Sequence, residues 1–131
     1  MRLVLVLAAV GAAAVLTPSA SACSCIAPST PRADLARADG AIVGVYLGRY
    51  RASRTVFLYS FRIVRSVKGR FPARLTLRSG TNSADCGLQL RRSEQVALLL
   101  HRVEGRWASS LCDQRPATFF RGVGSRRLAA C

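Results

Sequence analysis

The sequence is short of the residues that most enzymes work with. Its 131 residues hold one histidine, His101, and six acidic side chains, Asp34, Asp39, Asp85, Glu94, Glu104 and Asp113, with no pair at a spacing that marks catalytic carboxylates. G-x-S-x-G, H-E-x-x-H and a glycine-rich phosphate loop are absent, which removes the common motif-borne hydrolases, zinc peptidases and nucleotide binders. No enzyme is expected. Lysine is also scarce: Lys68 is the only one, and the other basic residues are arginine. The one long hydrophobic run, residues 3–16, is fourteen residues long, short of the about 20 that a spanning helix needs.

That run follows Arg2 and leads to Thr17-Pro18 and then Ala20-Ser21-Ala22, a small-x-small cleavage site, so residues 1–22 are read as a signal peptide. A lipoprotein signal also ends in cysteine, but it usually carries leucine three residues earlier, where this chain has Ala20. Lipid anchoring through Cys23 is therefore the minor alternative to a secreted, extracellular protein. Cleavage leaves residues 23–131, enough for one domain with a single core, and lowers the net charge from +14 to +13 through loss of Arg2. The arginines form no tract and alternate with apolar residues, which fits a solvated surface better than a dedicated polyanion site.

Five cysteines, at 23, 25, 86, 112 and 131, suit an oxidising compartment. Two positions along an extended chain separate Cα atoms by about 6.5 Å, so a bond between Cys23 and Cys25 is disfavoured and each needs a distant partner. Two long bridges from the N-terminus to the interior cysteines follow, each closing a loop worth about 4 kcal/mol in the chain-entropy model; Cys131 is left over. A zinc site would ordinarily offer paired C-x-x-C ligands, and a redox role C-x-x-C beside a βαβ unit; the chain has neither.

Thr30-Pro31 has the form of a helix start, with ADLARAD running to Gly40 as its stop. From Ala41 the pattern is β. AIVGVYLGR is apolar and β-branched, 48–54 is a compact polar loop, and TVFLYSFRIVRSV alternates, with Phe57, Tyr59, Phe61, Ile63 and Val67 on one face. RLTLRS, QVALLLHRV and RWASSLC give three more strands, the second apolar throughout and so central. Residues 116–131 read as a short helix or an irregular tail. Five strands behind one helix describe a mainly β chain and a small barrel.

The order of these elements resembles the tissue inhibitors of metalloproteinases and, more broadly, the netrin-like OB-fold domain. The matching stretches are CSC at 23–25, AIVGVYLG at 41–48, FRIVRSVKG at 61–69, CG at 86–87 and SSLC at 109–112. The chain is similar to the short bacterial members, which have only the inhibitory domain. The resemblance implies a five-stranded OB-fold barrel and the bonds Cys23–Cys86 and Cys25–Cys112, one of three pairings open to four cysteines. It implies that the α-amine and carbonyl of Cys23 chelate the catalytic zinc of a target metalloendopeptidase while Ser24 enters the pocket beside it. Cys25, Ile26, Ala84 and Asp85 would complete the inhibitory edge. No cofactor and no metal of its own are implied; the only zinc is the target's. The helix lacks the cysteine of the animal inhibitors, and the 48–54 loop is short where some members touch the protease.

The alternative is a non-inhibitory netrin-like module, a monomer using a basic face on anionic polysaccharide, lipid or protein at the cell surface. A single-strand nucleic-acid platform of Phe57, Tyr59 and Phe61 is disfavoured by export and disulfides, so no nucleic-acid partner is expected. The readings diverge at the first residue. Mass spectrometry of the secreted protein is expected to find Cys23 at the N-terminus with a free amine; an acylated or extended terminus removes the chelation reading.

Overall fold

The computed structural model describes residues 23–26 and 29–123. The signal-peptide reading of 1–22 and the fate of Cys131 lie outside them. The chain is mainly β, with one α-helix, α1 (Pro31–Arg37), and six strands: β1 (Gly40–Arg51), β2 (Val56–Lys68), β3 (Arg74–Gly80), β4 (Gln95–Val103), β5 (Arg106–Ala108) and β6 (Gln114–Pro116).

The start of α1 is the one the sequence announces. Thr30 Oγ1 accepts from Ala33 N at 3.2 Å, and Pro31, which has no N–H to lose, takes the first helical position. The helix ends at Arg37, earlier than the expected stop at Gly40, because Gly40 opens β1 instead. A methyl group there would lie 2.8 Å from the Phe71 ring, so close packing and not helix termination requires the glycine. The freed helix carbonyls are taken by the solitary lysine. Lys68 Nζ donates to Leu35 O at 2.7 Å and to Ala38 O, a cation placed where the helix dipole is negative.

The strands close on themselves. β1 pairs with β2, β2 with β3, β3 with β5, β5 with β4, and β4 returns to β1, which gives a ring of five hydrogen-bonded strands. All pairings are antiparallel except β3 with β5, which is parallel and made at a single register, Arg78 opposite Ala108. One edge of β4 is shared: His101–Val103 pair with β5 and Val96–Leu98 with β6. The expected strand over 106–112 is cut short at Ala108. Past Ala108 the Ser109 hydroxyl turns in to Leu99 O (2.8 Å), and the Asp113 carboxylate caps Ser110 N and its hydroxyl (3.0 and 2.7 Å). These local bonds outcompete the ladder and form a short 3₁₀ turn, Leu111–Asp113, that carries Cys112.

β1 is longer than its apolar stretch suggested, reaching Arg51, because cross-strand pairs from Gly48–Ser60 to Arg51–Phe57 continue the ribbon through the expected loop. The connection to β2 is only residues 52–55. Register shifts near Val43 and Ala41 insert extra residues into β2 and break its alternation. Phe57, Tyr59, Phe61 and Ile63 keep to the interior of the ring, but Val67 is turned away from their face.

Two cores result. Inside the ring, Ile42, Tyr46, Tyr59, Phe61, Leu77 and Leu98 pack together, and the Tyr59 hydroxyl donates to Leu88 O (3.2 Å) while accepting from Arg49 (3.0 Å). On the outer face of β1 and β4, Val43, Ala97 and Leu99 meet Leu35, Val67 and Phe120. The apolar run of β4 needs both, since even positions face one core and odd positions the other. The segment after β6, expected as helix or tail, is a series of turns from Ala117 to Gly122 that buries Phe120 completely. Arg65 secures it by donating to Phe120 O at 2.7 Å. Phe120→Ala is expected to cost about 3–5 kcal/mol, read as a lower urea midpoint at unchanged slope; a loss below about 1 kcal/mol would mean that this segment does not pack as described.

Candidate functional site

Residues 23–26 form no helix or strand, and their position is set by sulfur. Of the three possible pairings, the structure contains Cys23–Cys86 and Cys25–Cys112, with Cα atoms 5.3 and 5.2 Å apart. The bridges span 63 and 87 positions of sequence. They also touch: Cys23 Sγ and Cys112 Sγ are 3.7 Å apart, a van der Waals contact between sulfurs that carry no proton.

Each anchoring cysteine is held by its own local chemistry. Cys86 closes a turn in which the Asn82 side-chain carbonyl accepts from Ala84 N (2.8 Å) and Asp85 N (3.1 Å), and Thr81 donates to Asp85 (2.8 Å). At φ 53° Cys86 occupies the left-handed region that non-glycine residues seldom enter. The turn closes tightly because Gly80 and Gly87 flank it: a Cβ on Gly87 would fall 2.4 Å from Gly80 O. Cys112 rides the 3₁₀ turn described above. Leu111 N donates to Cys86 O at 2.9 Å, so the two anchors are joined through backbone as well as through the bridges.

The outcome is an exposed edge. Ser24, Cys25, Ile26, Ala84 and Asp85 all face solvent, and Cys23 is half-buried. Ile26 is 88% exposed, more than Tyr50, Val64 or Val103, the other large exposed apolar side chains among the described residues. The bond from Cys23 to Cys86 ties the start of this segment to the turn that carries Ala84 and Asp85.

Behind this edge lies a cavity of about 340 Å³ lined by Ser24, Ile26, Asp34, Arg37, His101 and Arg115, among others. Asp34 is 1% exposed and accepts from Arg37 at 2.7 Å and from Arg115 Nε at 3.1 Å, which ties α1 to β6. Burial raises the Asp34 pKa, but hydrogen bonds from Ser29, Arg37 and Arg115, with the Arg115 charge, outweigh it and leave the carboxyl below its ordinary value. His101 Nε2 lies 3.0 Å from Asp113 Oδ1, within hydrogen-bond distance. Among the described residues no buried side-chain nitrogen or oxygen lacks a partner, so these polar groups are committed to one another.

The Asp34–Arg115 clasp is what residue-by-residue reading missed. Its members are 81 positions apart and neither belongs to a motif; the one local signal is that Asp34 is an acid in the first turn of α1. The chain matches no family model and no curated protein.

Asp34 has a folded pKa below its unfolded one, so its contribution is complete above about pH 4, the ordinary carboxylate range, and is lost as pH falls through the lower folded value. Asp34→Asn is expected to cost about 3 kcal/mol at pH 7, at the low end for a broken buried pair because Arg37 is open to water. Urea unfolding should show the gap to wild type narrowing below about pH 4; a gap that stays constant to pH 2 would show that the charge is not what Asp34 supplies.

Proposed function

We propose that the mature chain is a secreted inhibitor of zinc metalloendopeptidases, built on a netrin-like OB-fold domain and cleaved behind Ala22. Its warhead is the first residue: the α-amine and carbonyl of Cys23 bind the target's catalytic zinc and displace its water, and Ser24 enters the adjoining pocket. The observation that carries this reading is the exposed Cys23–Ile26 edge, pinned at both of its cysteines.

The chemistry suits the geometry. Catalytic zinc keeps an open coordination position, and an α-amine with pKa near 8 releases its proton readily to a metal. A terminal residue is normally mobile, and ordering it on binding costs entropy; here the bridges meet that cost in advance. The apolar side chain of Ile26, otherwise out of place in water, supplies surface for contact beyond Ser24, and the exposed Ala84 and Asp85 of the turn bonded to Cys23 would complete the edge. We read the closed ring as an OB barrel because its strands follow the order β1-β2-β3-β5-β4 and its β3–β5 seam is nearly open.

A second reading, a basic binding module, is favoured by the far end of the β1–β2 ribbon. There Arg49 and Arg51 stack on the Phe57 ring at 4.3 and 4.9 Å, and Tyr50 is exposed. Of the arginines among the described residues, only Arg37, Arg78 and Arg115 form an ion pair with a carboxylate. That ribbon could hold a sulfated or carboxylated polysaccharide without involving Cys23.

One alanine placed before Cys23 turns the amine into an amide. It is expected to raise the inhibition constant against a susceptible zinc endopeptidase at least about a thousandfold, about 4 kcal/mol, with the melting temperature unchanged. Ser24→Gly should cost only about tenfold. Acylating the parent offers the same test, since the one lysine is occupied at the end of α1 and leaves the terminal amine as the reactive one. Arg51→Glu with Arg54→Glu should lower retention on a sulfated resin and spare inhibition. An alanine-extended protein as potent as the parent overturns chelation and leaves the binding module.

A further inference from the structure

We propose that the four bridged cysteines, when reduced, form a tetrathiolate site for a thiophilic divalent cation such as zinc, so that the N-terminal edge can be locked by metal or by disulfides but not by both. The C-x-C spacing conceals this site, because its ligands come from three separate segments and only the fold assembles them. The sulfurs of Cys23, Cys25 and Cys112 lie within 4.8 Å of one another, and Cys86 is bonded to Cys23. Two independent bridges in one domain need not touch, yet the contact between them, Cys23 Sγ to Cys112 Sγ, is 3.7 Å. Four sulfurs about 2.3 Å from a tetrahedral zinc stand about 3.8 Å apart, so this contact already has the length of an edge of that tetrahedron.

Two of the ligands keep their places without the bridges. Leu111 N donates to Cys86 O, the Asn82 turn holds Cys86, and the Ser110–Asp113 cap holds Cys112. The other two arrive on a short tether with one residue between them. The surroundings favour thiolate: Arg115 donates to Cys112 O at 2.6 Å, and Arg37 lines the adjoining cavity. The site would carry a charge of −2 within a strongly basic chain.

The chemistry closes. A dithiol reductant delivers two electrons and two protons to each bridge and leaves as its own disulfide; the four thiols then release their protons as they take up the cation. A chain not yet oxidised reaches the same state with no reductant. The proposal is independent of inhibition, because its readout is metal uptake by sulfur.

The test uses the mature protein carrying Cys131→Ser, so that these four are its only cysteines, reduced anaerobically with a phosphine, freed of it and titrated with cobalt(II). The expected result is intense thiolate-to-metal absorption with tetrahedral visible bands, saturating at one cobalt per chain, displaced by zinc and absent from the oxidised protein. Cys86→Ser and Cys112→Ser should each lose about a quarter of the charge-transfer intensity and weaken binding at least about tenfold. Circular dichroism during the titration follows folding, and a chain that unfolds on reduction is expected to regain structure as cobalt binds. A reduced protein that keeps only the pale octahedral spectrum, the same spectrum from the oxidised protein, or indifference to Cys86→Ser each overturns the site.

Discussion

The edge at residues 23–26 depends on one constraint: it has no strand or helix to belong to, and two covalent bonds stand in for the missing backbone pairing. A hydrogen-bonded strand would have placed its residues at the cost of covering one side of them. Bridges at alternate residues fix Cys23 and Cys25 and leave Ser24 between them uncovered. The cost moves to the partners. Cys86 sits in a strained left-handed conformation inside a turn that tolerates only glycine at its close crossing, and Cys112 requires a strand to be broken so that a turn can present it.

The rest of the molecule can be understood as support for those two anchors. The closed ring supplies a body whose strands hold one another, and the second core fastens α1 and the C-terminal turns to the outer face of β1 and β4. The Asp34–Arg115 pair and the Lys68 cap then secure the helix at both ends, each using a charge where water is mostly excluded. With so few acids among so many arginines, each carboxylate has a partner within the fold: Asp39 holds Arg102 N, Glu94 holds Arg91 N, and Glu104 holds Arg78. The basic surface is what remains once these engagements are made.

Much of this was open to reading in the residues, and what was not has a common cause. Thr30-Pro31 announces α1, and the alternation in β2 and the unbroken apolar run of β4 announce their strands, because caps and periods of two are local signals. The misreadings all turn on distant partners. Residues 48–51 of the expected loop became strand because 57–60 pairs with them, Val67 changed face through bulges set by β1, and the strand after Trp107 was cut by a serine whose acceptor lies in β4. Phe120 looked like part of a tail because nothing nearby marks a buried aromatic; its site is made by β1, β2 and β4 together. For the edge, the cysteines were visible and their convergence into one cluster of sulfur was not.

The lengths of the two bridges impose an order of events. A ribosome makes Cys25 well before Cys112, 87 positions later, and Cys23 before Cys86, 63 positions later. Residues 23–26 are thus made early and put in place late. Cys23 has no correct mate until residue 86 has been made, and Cys25 has none until residue 112. Order at residues 23–26 therefore reports on completion far along the chain: a chain cut short before Cys112 carries Cys25 but cannot hold it still.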